Sequence, residues 1–134
     1  MSNPRRILLA DDDAEVRLGV ADLMLSLGLE VLQVESGLEA IDAVKNQVVD
    51  AALLDMHMPG CTGLEALAAM SRLKHDLPCL IYSGRWSTGL EQAALEAGAR
   101  ACLKKPVEPD LLRIQVCLAL DMRPDQPWFP RDLN

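Results

Sequence analysis

Ile7-Leu8-Leu9-Ala10-Asp11-Asp12-Asp13 joins an apolar run of strand length to three consecutive acids. The same pattern recurs along the chain. Ala51-Ala52-Leu53-Leu54 ends in Asp55, Cys79-Leu80-Ile81-Tyr82 ends in Ser83, and Ala101-Cys102-Leu103 leads to Lys104, Lys105 and Pro106. Short apolar runs bounded by polar residues read as buried strands. Helical patterns separate them, and strands alternating with helices imply a parallel sheet covered on both faces, with right-handed crossovers. The carboxyl ends of parallel strands share one edge, where ligands bind. Carboxylates, a hydroxyl and an ammonium from distant parts of the chain are therefore expected at one small site. Carboxylates held close repel one another unless a cation sits among them.

Five strand–helix pairs fit the remaining pattern. Arg6 to Ala10 is the first strand, and Asp13 caps a helix with Val16, Val20, Leu23, Met24 and Leu27 at helical spacing, ended by Gly28. Glu30 to Val34 reads as an edge strand because of its charged start and polar Gln33. Ser36 opens a second helix carrying Leu38, Ile41 and Val44. After Asp55 a loop from Met56 to Thr62 precedes a helix over Leu64 to Leu73, with Leu64, Leu67 and Ala68 on one face. Pro78 starts the fourth strand. A short Ala-rich helix from Gly89 to Ala97 ends at Gly98, and Ala101 to Leu103 is the last strand. Pro109 stands near the first turn of a final helix, Asp110 to Asp121, lined by Leu111, Leu112, Val116 and Leu118.

At 134 residues, one domain is expected, over residues 1–121, with 122–134 a Pro-rich tail or the start of a linker around Trp128. Apolar residues make up 50% and aromatics 3%, so the core is aliphatic. The net charge of −7 argues against non-specific nucleic-acid binding, which needs clustered Lys and Arg. Cys61, Cys79, Cys102 and Cys117 lack paired metal-ligand spacing, and Cys79, Cys102 and Cys117, inside apolar segments, read as small hydrophobes. Neither a secretory leader nor a membrane-crossing stretch is evident, and a reducing cytoplasm is the expected setting.

Asp11-Asp12 after strand one, Asp55 after strand three, Ser83-Gly84 after strand four and Lys105-Pro106 after strand five together resemble the receiver domains of two-component response regulators, over roughly residues 5 to 121. The resemblance implies a flavodoxin-like, doubly wound (βα)5 three-layer sandwich with strand order 2-1-3-4-5. It implies that Asp55 accepts a phosphoryl group, with Lys105 supplying a point charge and Ser83 a hydroxyl. It further implies Mg2+ (or Mn2+) held by Asp12 and Asp55, by the backbone carbonyl of His57, and by Asp11 through water. Backbone N–H groups of Met56 and Gly84 would complete the cradle, and the Lys105–Pro106 peptide is expected to be cis. The implied partners are a histidine kinase or histidine phosphotransfer protein, and a downstream protein or carboxyl-terminal effector domain. The last two helices and strand five are the implied contact face, for self-association included.

Four positions depart from the family pattern. Cys102 stands where an aromatic ring usually accompanies the movement of the hydroxyl residue, so Ser83 and Cys102 are a switch pair without its ring. His57 and Arg85 flank the phosphoryl position and are expected to tune its lifetime, Arg85 by lengthening it. Thr62 stands where an acid is common. Trp86 either presents its indole to a partner or folds over its own helix.

Other readings exist. A receiver-like interaction module would never use phosphate. Asp55-x-His57-x-x-Gly60 spells a cobalamin-binding signature, but after the third strand and not the first. A doubly wound phosphatase would need an acid where His57 stands.

Overall fold

The computed structural model describes residues 4–122; the expected tail from 123 onward, with Trp128, lies outside them. The elements alternate as β1 (Arg6–Ala10), α1 (Ala14–Leu25), β2 (Glu30–Val34), α2 (Gly37–Asn46), β3 (Ala51–Asp55), α3 (Gly63–Leu73), β4 (Cys79–Ser83), α4 (Thr88–Glu96), β5 (Ala101–Lys104) and α5 (Pro109–Ala119). All pairings are parallel, in the order β2-β1-β3-β4-β5, which is the doubly wound order that the family resemblance implies. Each crossover is a helix, as parallel neighbours require.

Strand alternation sorts the core into two layers. Leu8, Ala10, Ala52, Leu54, Ile81 and Cys102 face α2, α3 and α4. Ile7, Leu9, Ala51, Leu53, Leu80, Tyr82 and Leu103 face α1 and α5. The central strands β1, β3 and β4 are apolar on both faces because helices cover both. β2, at the edge, is exposed at Glu30 and Gln33.

Several helix faces differ from their sequence reading. On α3 the buried stripe is Gly63, Ala66, Leu67 and Met70, and Ala68 is exposed. On α5 it is Leu112, Val116 and Cys117, leaving Leu111 and Leu118 exposed. Leu38 on α2 is exposed, while Ala40, Ala43 and Val44 are buried. One position off a stripe turns a side chain by roughly 100°, so a leucine there leaves the sheet while an alanine on the stripe stays. Thr62, without an assigned role in the sequence, makes a capping box with Glu65 at the start of α3.

Candidate functional site

The ladder does not stop where the strands do. Asp11 N–H donates to the Val34 carbonyl at 3.2 Å, Met56 N–H to that of Tyr82 at 2.9 Å, and Lys105 N–H to that of Ser83 at 2.9 Å. These bonds fix the backbone of the residues just past β1, β3 and β5, so the functional side chains stand on sheet and not on free loop. Alternation then chooses the side. Asp11, Asp55, Tyr82 and Lys105 all continue the face that covers α1 and α5. The loop after β3 is held close: Gly63 N–H donates to the Met56 carbonyl at 2.9 Å, and a Cβ at Gly63 would lie 2.6 Å from the Asp55 carbonyl oxygen.

Asp11, Asp12 and Asp55 each place a carboxylate oxygen within 4.8 Å of the others. Asp11 is 0% exposed, Asp55 4%, and Asp12 is exposed. Lys105 Nζ sits between the two buried acids, 3.1 Å from Asp11 Oδ2 and 3.1 Å from Asp55 Oδ1. Ser83 is fully buried beside them, and its Oγ accepts the Arg85 N–H at 3.0 Å. Three carboxylates against one ammonium leave an excess of negative charge. Hard oxygen donors in that number suit a hard divalent cation, which makes the cluster a candidate cation site.

The two buried acids differ electrostatically. Burial works against the charged form of Asp11, but the Tyr82 phenol, the Asp13 N–H and the Lys105 ammonium outweigh it and hold its carboxyl below the usual range. Asp55 is pushed above that range by burial, opposed by its bond to Lys105 and reinforced by the charge of Asp11.

Among the residues singled out in the sequence, Asp11, Asp12, Asp55, Ser83 and Lys105 come together, and Lys105–Pro106 is cis. Asp13 caps α1 instead, accepting the N–H groups of Glu15 at 3.0 Å and Val16 at 3.2 Å. Met56 corrects an expectation. Its N–H is committed to the sheet, and the N–H near Asp55 Oδ1 is that of His57, at 3.4 Å. His57, Gly84 and Arg85 are exposed at the rim. Trp86 neither projects freely nor folds only over its own helix: its indole N–H donates to the Cys102 carbonyl at 3.2 Å, and Lys104 Nζ lies 5.2 Å from the ring.

Two residues escaped the sequence reading. The Tyr82 hydroxyl donates to Asp11 Oδ2. Arg17 Nη1 donates to the Asp11 carbonyl at 2.7 Å, while its Nε reaches Gln33 Oε1 at 3.2 Å. Tyr82 had a signal, since a phenol in an apolar strand must find an acceptor. Arg17, one of several charges on α1, had none.

A chain of this architecture has relatives. Response regulator MprA from Mycobacterium sp. (strain KMS) is 36% identical over 129 residues, spanning 92% of this chain and 56% of that protein. Regulatory protein LuxO from Vibrio vulnificus (strain YJ016) is 31% identical over 108 residues, spanning 81% of this chain and 24% of that protein. The chain thus covers about half or less of these curated relatives. The crystal structure of a CheY-like response regulator receiver domain protein from Methanospirillum hungatei JF-1 superposes with a TM-score of 0.83 at 28% identity, covering 89% of this chain and 95% of that one. The family model for the response regulator receiver domain matches residues 7–116. The chain belongs to the response regulator receiver domain family.

Proposed function

We propose that Asp55 accepts a phosphoryl group from a phosphohistidine on a histidine kinase or histidine phosphotransfer protein, with Mg2+ or Mn2+ bound. The observation that carries this is the Lys105 ammonium, 3.1 Å from both Asp11 and Asp55 at the mouth of a three-carboxylate cluster. Asp12 and Asp55 would hold the cation with the His57 carbonyl, and Asp11, whose oxygens are already hydrogen-bonded, would act through water. A divalent ion there offsets the negative charge of the acids and of the transferring oxygens.

The rest belongs to the chain. An Asp55 carboxylate oxygen attacks phosphorus, the new O–P bond replaces the P–N bond, and the donor imidazole leaves neutral after taking a proton. Lys105 turns from the carboxylates to a phosphoryl oxygen. Ser83 donates its hydroxyl to another, and the Gly84 N–H, with that of His57, completes the cradle. Arg85, exposed at the rim, slows water attack; replacing it with alanine shortens the phosphoryl lifetime.

Residues 1–121 form the receiver unit, acting in the cytoplasm on a downstream protein or an effector domain. With Cys102 buried in place of a ring, movement at Ser83 leaves by a helix or a loop. Leu95 on α4 with Leu111 and Leu118 on α5 offers exposed apolar surface for a partner or a second copy.

Acetyl phosphate with Mg2+, followed by intact mass, tests the central claim. The native chain gains one phosphoryl group and Asp55→Asn gains none. An equal gain in both proteins, or no gain in the native one, overturns it.

A further inference from the structure

Tyr82 is the single tyrosine of the chain and is completely buried. It stands in β4 with Leu80, on the layer formed with α1 and α5, and its ring fills space there as a leucine would. The hydroxyl is what sets it apart. A phenol carried into an aliphatic layer requires an acceptor, and it finds Asp11 Oδ2. The other bonds to that carboxylate come from Asp13 N–H on Oδ1 at 2.9 Å and from Lys105 Nζ on Oδ2 at 3.1 Å. Lys105 Nζ also lies 4.4 Å from the centre of the Tyr82 ring, so the same residue both bonds the acid and forms a wall against which the ammonium rests.

These partners differ in permanence. The Asp13 N–H belongs to a helix cap and stays. Lys105 is shared with Asp55 and is the group that phosphoryl transfer draws away. Oδ2 is fully buried, and without Lys105 its remaining partner in this set is the phenol. We infer that Tyr82 is a positioning residue for the divalent cation: its hydroxyl keeps the Asp11 carboxylate aimed into the acidic cluster when the ammonium leaves. This rests on the reading of the cluster as the Mg2+-dependent phosphoacceptor site.

Removing the hydroxyl acts twice in one direction. The carboxylate loses an orienting bond; hydrogen bonds to direct metal ligands are typically worth 10–100-fold in metal affinity, and Asp11, which would reach the ion through water, belongs at the low end of that range. Oδ2 also leans harder on Lys105, and an ammonium held more tightly by the acids competes with the incoming ion.

Calorimetric titration of MgCl2 into native and Tyr82→Phe protein tests this. The variant is expected to bind Mg2+ about tenfold more weakly, and its phosphorylation by acetyl phosphate returns to the native rate at saturating Mg2+. A role in folding alone lowers the thermal midpoint in EDTA and leaves the Mg2+ affinity unchanged, and that result overturns the inference. Native protein that binds Mg2+ and is phosphorylated, beside a variant of equal affinity, sinks this inference but not the site. Native protein that binds no Mg2+ sinks both. Should Tyr82→Phe not fold, chain labelled with fluorotyrosine carries one fluorine reporter. Its NMR resonance should move with MgCl2 and saturate with the calorimetric curve; a resonance that stays put overturns the assignment.

Discussion

The two ends of the sheet treat charge in opposite ways. Where the strands begin, Arg6 Nη2 meets Glu30 Oε2 at 3.0 Å, with side chains 36% and 48% exposed, and Arg6 N–H donates to Asp50 Oδ2 at 2.8 Å. Opposite charges there pair in or near water, and such pairs contribute little. Where the strands end, two buried acids share one ammonium. Like charges out of water are unfavourable until something neutralises them. The chain accepts unfavourable burial of like charge at the edge that carries the acidic cluster, a trade between stability and activity that functional sites commonly show.

Three substitutions break or sharpen this contrast. Gly63→Ala is the most disruptive, because its Cβ would lie 2.6 Å from the Asp55 carbonyl oxygen and 3.0 Å from Met56 Cα, and backbone cannot step aside as a side chain can. A loss of about 1–3 kcal/mol in urea unfolding is expected; an unchanged midpoint means that the strand ends yield easily. Asp55→Asn has the opposite sign. Its carboxyl is raised in the folded state, so at neutral pH the ionised group opposes folding, and stability rises as pH falls through the raised value. A neutral amide should therefore stabilise the cation-free protein, read as a higher midpoint in urea unfolding at neutral pH. A loss instead would mean that attraction to Lys105 outweighs burial and Asp11, and the contrast fails. Arg6→Ala, at the quiet end, should change stability by less than about 1 kcal/mol, and a larger change in the same urea experiment removes the distinction.

Much of this was legible in the sequence because it is written locally. Apolar runs closing on Asp11, Asp55, Ser83 and Lys105 marked both the strands and the edge where their polar ends meet. Capping by Asp13 and Ser36 followed from side-chain chemistry within a single turn. Contacts between distant residues were less legible. The bond from Tyr82 to Asp11 joins residues 71 positions apart, and it needs register as well as alternation. Arg17 was hidden because its target is a backbone carbonyl, which leaves no mark in the side-chain pattern. Leu111 and Leu118 misled for a related reason: a leucine signals core by type, but only its angle about the helix decides.

Lys105 also bears on how the chain comes to be folded at all. A fixed positive side chain, 18% exposed and 3.1 Å from each of the two acids, supplies from within the chain a counter-charge that they would otherwise lack. Were methionine to stand at that position, two buried acids would face each other without that counter-charge, and the fold would lose stability.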